Sequence, residues 1–220
     1  MYNPPANRVD DADAFDLIEQ SGFGQIVSAS APGLQATGLP LLADRAAMTL
    51  RGHFARANEH WKSVDSVDVL VLFQLADGYV SPGWYPSKAE DGRVVPTWNY
   101  EVVQVRGRAT VHDDAEWVRQ LVTELTDLHE SHRGDLGTRP SWEVTDAPAD
   151  FIDRKLRAIV GVEIAIEYIE AKRKLSQNRS DEDRQGVIDA HSATDDPQSI
   201  GLAGAMRDTT GWIDDPDLDQ

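Results

Sequence analysis

Val103-Gln104-Val105-Arg106-Gly107-Arg108-Ala109-Thr110-Val111 is the stretch on which the fold turns. Small or apolar residues hold its odd positions, and polar or charged residues hold the even ones. Side chains of an extended chain point alternately to opposite faces. A period of two therefore predicts a strand with one dry face and one wet face. Upstream, Asp68 to Leu75 is a near-continuous apolar run, which predicts a strand covered on both faces. Gln25-Ile26-Val27-Ser28, Leu34 to Leu42 and Met48 to Ala55 are further strand candidates, the first two joined by a turn at Ala31-Pro32-Gly33. Val162, Ile164, Ile166 and Tyr168 alternate with Glu163 and Glu167, and this last strand runs into Lys172-Arg173-Lys174. Several strands joined by short turns predict an antiparallel barrel or sandwich.

Helical spacing interrupts the strands in three places. Asp10 and Asp11 precede Ala14, Phe15, Leu17 and Ile18, a capped helix ending near Gly22. Trp117, Val118, Leu121, Val122, Leu125 and Leu128 follow the acidic start Asp113-Asp114. Phe151, Ile152, Leu156, Ile159 and Val160 predict another helix, stopped at Gly161. The last two helices are expected to form a small lobe, about 113–160, inside a barrel domain spanning 1–180. Residues 181–220 are expected to be a partly irregular extension, with a short helix around Asp181 to Ala190 and a solvated acidic end from Ile213 to Gln220.

Composition narrows the function. The 220 residues include 21 basic and 38 acidic ones, a net charge of -17, so a twofold pair would carry 2 × -17 = -34. Duplex DNA attracts proteins through Lys and Arg that neutralise its phosphates. Direct DNA binding is therefore not expected. Hydrophobic residues make up 40%, enough for a core, yet no apolar run is long enough to span a bilayer. The start Met1-Tyr2-Asn3-Pro4-Pro5 lacks the basic and apolar parts of a secretory signal, so a cytoplasmic protein is expected. The absence of cysteine removes disulfides, thiol nucleophiles and thiolate zinc sites.

Four segments carry unusual chemistry: Gly52 to Asn58 with Trp61-Lys62, Tyr79 to Lys88, Val95 to Glu101, and Lys174 to Arg179. Each joins aromatics or amides to other polar groups, and three include Lys or Arg. A phosphate wants cations and short hydroxyl or backbone donors. A flat heteroaromatic ring wants apolar walls, with amides for its carbonyls and nitrogens. Those demands together describe a phosphorylated aromatic cofactor such as a flavin nucleotide. The glycine-rich dinucleotide fingerprint is absent. Taken singly, each residue has a structural reading: His53 as a buried histidine, Trp98 and Tyr100 as core aromatics, Gln177 and Asn178 as a strand end. Asn99 stands out because asparagine is depleted in strand interiors. Their joint occurrence favours a cofactor site. His129 and His132 lack the spacing and third ligand of a metal site and read as a solvated helix end, so no metal is expected.

Gly52-His53-Phe54-Ala55-Arg56-Ala57-Asn58, Trp84-Tyr85-Pro86-Ser87-Lys88, Val95-Pro96-Thr97-Trp98-Asn99-Tyr100 and Lys174-Leu175-Ser176-Gln177-Asn178 resemble, in order, the signature blocks of the PaiB family of FMN-binding negative transcriptional regulators. The likeness covers roughly Met1 to Ile188, with departures at Glu59 and Gly83. The resemblance implies a mainly β (α+β) fold, the FMN-binding split β-barrel with a small helical lobe, and FMN held in a homodimer. Carried onto these blocks, it nominates His53, Arg56, Asn58, Lys62, Tyr85, Ser87, Lys88, Thr97, Trp98, Asn99, Lys174, Gln177 and Asn178 as cofactor-binding residues. Lys88, beside Ser87, is the leading phosphate candidate, with Lys62 second. A regulator or flavin-based sensor is the first expectation. An FMN-dependent oxidoreductase acting on a small molecule is the alternative, and no residue is singled out as catalytic.

Overall fold

The computed structural model describes residues 1–30, 33–135 and 137–209. The expected turn residues Ala31 and Pro32 and the acidic end after Thr209 lie outside them. In chain order the elements are β1 (Arg8–Val9), α1 (Asp11–Ser21), β2 (Phe23–Ser28), β3 (Gln35–Asp44), β4 (Thr49–Ala55), α2 (Trp61–Val64), β5 (Asp68–Val80), β6 (Thr97–His112), α3 (Ala115–Ser131), α4 (Ala149–Leu156), β7 (Ile159–Lys174), α5 (Asp181–Ser192) and α6 (Pro197–Asp208). The chain forms two compact units. One comprises Met1–Leu17, Gln74–Val103 and the chain from Glu170 onward; the other comprises Ile18–Phe73 and Gln104–Ile169.

The second unit is the barrel. Its strands run β7-β4-β3-β2-β5-β6, and β6 pairs back to β7. That last pairing joins the two strands that would otherwise be the open edges of the ring. Neighbours are antiparallel where β2 meets β3 and β5, and where β4 meets β3 and β7. Ile26, Leu50, Phe54, Val71, Phe73, Val105, Val160, Val162 and Ile164 fill the interior with no exposed surface. Each large side chain withdrawn from water in this way contributes roughly 1.5–3 kcal/mol. Along β6, Val105, Gly107 and Ala109 are buried while Arg106, Arg108 and Thr110 are exposed, as the period of two predicts.

The lobe belongs to the same unit. Asp114 caps α3 by accepting from the Trp117 amide at 2.8 Å. Val118, Val144, Ile152 and Leu156 pack together beside it. The expected second helix is shorter than the sequence reading: α4 ends at Leu156, and Ile159 and Val160 open β7 by pairing with Ala55 and Phe54. The apolar series continues unbroken across that boundary, so periodicity hid it. Barrel pairing, which buries Val160 completely, outweighs continuation of the helix.

In the other unit β1 pairs with the far end of β7, Arg8 opposite Lys172. Residues 181–209, expected to hold one short helix, form two. Ser180 caps α5, and Asp196 with Pro197 starts α6. Val80, Tyr85, Leu175, Val187, Ile188, Leu202, Ala203 and Met206 form their common core. The fold is α+β, a seven-stranded sheet with helices in nearly equal share, so the expected split barrel holds with more helix than "mainly β" implies; no helix among the described residues is long and apolar enough to cross a membrane.

Candidate functional site

The nominated residues divide between the two units. His53, Arg56, Asn58 and Lys62 belong to the barrel, and the others to the unit carrying α5 and α6.

In the barrel, most of the nominated polar groups already have partners. The Arg56 guanidinium holds both carboxylate oxygens of Asp113, through Nη2 to Oδ1 and Nη1 to Oδ2 (3.0 Å), and reaches the carbonyls of Arg157 and Ile159. Its partner holds the Asp113 carboxyl below the usual carboxylate range. Asn58 donates to Thr37 Oγ1 at 3.1 Å and accepts from the His60 amide. Lys62 Nζ lies 2.6 Å from Glu59 Oε2, an exposed pair. His60, absent from the nominated set, is buried between Ser28 Oγ (2.9 Å from Nε2) and Thr37 Oγ1 (2.8 Å from Nδ1). The spacing Asn58-x-His60 was its only sequence signal. Burial lowers the His60 pKa, so the ring is neutral. The arrangement looks like a nucleophile and base, but Ser28 and His60 are only 2% and 3% exposed, which closes them to substrate. The group braces the loop after β4. His53 differs: its Nδ1 is enclosed and has no hydrogen-bond partner among the described residues. A buried nitrogen in that state has capacity for a ligand group.

The other unit holds a different balance. Ser87 donates to Asp183 through both its amide (3.1 Å) and its hydroxyl (2.6 Å), tying its turn to the start of α5. That carboxylate takes up both donors of the residue next to Lys88, which weakens the turn as a phosphate cradle. Asn99, fully buried, exchanges hydrogen bonds with Ser176 Oγ at 3.0 and 3.1 Å. Gln177 folds onto its own segment, accepting from the Leu175 amide and donating to the Arg173 carbonyl. Tyr85 is buried under the Arg179 guanidinium, 5.1 Å from its ring centre. Asn178 is exposed. Trp98 is 54% exposed and meets Tyr79 edge to face at 6.3 Å. Lys174 Nζ donates to Thr97 Oγ1 at 2.7 Å and to the Trp98 carbonyl at 2.6 Å. Burial first, then the charges of Lys172 and Arg179, lower the Lys174 pKa to about 8. A cation and a hydroxyl held together are the donor set a phosphate requires. These residues fit the phosphate of a flavin nucleotide.

A family model described as "Putative FMN-binding domain" matches residues 1–168. The chain belongs to that family. Within it, the chain is 31% identical over 212 residues to the Bacillus subtilis "Protease synthase and sporulation protein PAI 2", covering 94% of this chain and 97% of that one, so it is a PaiB homologue. It is also 33% identical over 188 residues to an uncharacterised Aspergillus fumigatus protein, with 73% of this chain and 72% of that one covered. The split-barrel fold expected for the FMN-binding family is borne out by solved structures. The flavocytochrome Anf3 from Azotobacter vinelandii is similar at a TM-score of 0.57 and 15% identity, over 82% of this chain and 74% of that one. An FAD and heme binding protein from Mycobacterium smegmatis is similar at 0.54 and 14%, over 80% and 78%. Lys174 to Asn178 lie beyond the residues that the family model matches.

Proposed function

We propose that this FMN-binding family member is a cytoplasmic regulator or sensor of the PaiB type, built as a twofold homodimer and acting through its flavin state. The observation that carries the reading is the Lys174 ammonium held between the Thr97 hydroxyl and the Trp98 carbonyl. Redox chemistry would come from the bound flavin; the protein supplies binding and electrostatics. Lys174 and Thr97 would face the phosphate. The regulatory part draws on the PaiB likeness and on the Bacillus subtilis relative, whose name refers to protease synthase and sporulation rather than to a flavin reaction. The dimer draws on exposed apolar surface: Tyr79, Val95 and Trp98 are 45%, 66% and 54% exposed.

Protein purified without added flavin is expected to be yellow and to release FMN on denaturation. FMN at about a hundred times its dissociation constant should stabilise the apo-protein by roughly 2.7 kcal/mol, about 5–10 °C in Tm. A colourless preparation that shows no shift with FMN, FAD or riboflavin would overturn the reading. Light scattering on the same sample should give twice the chain mass. Steady NAD(P)H consumption with a small acceptor would move the assignment to an oxidoreductase.

Regulation through direct DNA contact is not expected. Arg106 lies over the Tyr168 ring at 4.4 Å, Arg108 faces Asp68, Arg173 is paired with Glu101, and Lys172 is only 6% exposed. The basic run and the β6 arginines are thus engaged within the chain, and a dimer would carry 2 × -17 = -34 against a polyanion. An anisotropy titration at about 150 mM salt should show no sequence-specific binding of its own upstream region. Specific submicromolar binding would refute this.

A further inference from the structure

We infer that Lys174, flanked by Lys172 and Arg179, forms a phosphate-monoester subsite together with the Thr97 hydroxyl, and that the phosphate of FMN occupies it. The inference rests on the FMN reading and deepens it.

The chain carries 38 carboxylates against 21 Lys and Arg, so an unpaired cation has to be explained. Arg45, Arg51, Arg56, Lys62, Arg108, Arg119, Arg133, Arg154 and Arg173 all have carboxylate partners. Among the described residues other cations also lack one, but Lys172, Lys174 and Arg179 are clustered, near enough for both neighbours to disfavour the Lys174 charge. Lys172 donates to the Tyr2 carbonyl and lies over the rings of Tyr2 and Tyr100. Arg179 stacks on Tyr85. Carboxylates of nearby segments are engaged elsewhere: Glu101 by Arg173, Asp183 by Ser87, and Glu170 by the N-terminal ammonium. Three mutually repelling, partly buried cations without a counter-charge leave an uncompensated positive potential. An anion relieves it.

Donor geometry says which anion. An ammonium has three N–H donors. Lys174 uses two, on Thr97 Oγ1 and the Trp98 carbonyl, and one remains. Thr97 Oγ1 accepts from Lys174, so its own hydrogen is free for a second acceptor beside the first. Two adjacent donors at a net positive point suit a tetrahedral dianion. The Trp98 carbonyl is the second anchor of the ammonium, and the FMN reading supplies the phosphate monoester that would meet these donors. By contrast, Lys62 is paired with Glu59, and the turn carrying Lys88 is tied to Asp183.

The chemistry has a sign that can be read. A bound dianion restores the Lys174 proton, so binding near pH 8 takes up a proton, and affinity falls as pH rises through about 8.

The test uses the full-length protein stripped of flavin, titrated with FMN and with riboflavin, which lacks the phosphate. Lys174→Met should weaken FMN roughly tenfold or more and leave riboflavin within about twofold. Retained riboflavin binding shows that the variant is folded. Thr97→Val should act in the same direction, less strongly. Calorimetry at pH 8 in buffers of different ionisation enthalpy should show proton uptake with FMN but not riboflavin, and none in Lys174→Met. Equal losses for both flavins, a selective loss at Lys88→Met instead, or no proton uptake would overturn the subsite. If the wild type binds neither flavin, the FMN reading fails. Inorganic phosphate then judges the subsite: a rise in Tm that Lys174→Met abolishes sustains it, and no rise overturns it.

Discussion

Arg173→Met is expected to destabilise the protein by about 3–5 kcal/mol at neutral pH. Glu101 is 2% exposed on β6, and its Oε1 accepts from Arg173 Nε at 2.7 Å. Removing the guanidinium strands a buried carboxylate, which is far costlier than losing a surface pair. Burial already raises the Glu101 pKa above its ordinary 4.5, and Arg173 partly offsets this. A carboxyl whose pKa is raised on folding binds more protons in the folded state than in the unfolded one. Stability therefore falls as pH rises from 4.5 towards the raised value. Without Arg173 that value climbs further. The deficit should be largest near pH 7 and shrink on acidification towards 4.5. Urea unfolding of wild type and variant at the two pH values measures it. Adding Glu101→Gln should recover much of the loss at pH 7. A deficit under about 1 kcal/mol that does not change with pH would mean the pair behaves as a solvated surface contact.

Gly107→Ala is expected to cost about 3 kcal/mol, or roughly 6–12 °C in Tm. Gly107 has no positive φ, so alanine suffers no conformational penalty of its own there. The obstacle is space. A Cβ at this position would lie 2.2 Å from the Ala165 carbonyl oxygen and 3.0 Å from its carbon. Those are backbone atoms of β7, which is paired on its other side with β4 through Thr49 opposite Ala165. The strand cannot withdraw without opening that ladder, and this is where β6 meets β7 to close the barrel. Gly134, where a Cβ meets nothing within 4 Å, is the control and should tolerate alanine. Similar melting temperatures for Gly107→Ala and Gly134→Ala would show that the seam yields more than its pairing implies.

Much of the barrel was legible because its signals are local. The alternation Val103 to Val111, the apolar run from Asp68 and the spacing Trp117 to Leu128 each report which face of one element is dry. The element ends were less so: β5 runs on to Val80 and β6 starts at Thr97, because edge residues are held by partners and not by pattern. α6 escaped notice because Leu202, Ala203 and Met206 form a weak stripe in a polar stretch, buried only once α5 covers it. At the candidate site, asparagine inside a strand correctly marked Asn99 as special. What it does rests on Ser176, 77 positions away.

The sequence by itself determined the strand and helix faces, the acidic charge and the family blocks that carry the FMN assignment. These are properties of neighbouring residues, of composition, or of order along the chain. Only the tertiary structure decided which cations are free. Arg56 and Asp113 are 57 positions apart, Arg173 and Glu101 are 72, and Lys174 and Thr97 are 77. Charge compensation acts through space over a few ångströms, and the barrel brings those segments together. Lysines that look alike in the sequence, Lys62, Lys88 and Lys174, therefore acquire different roles only on folding.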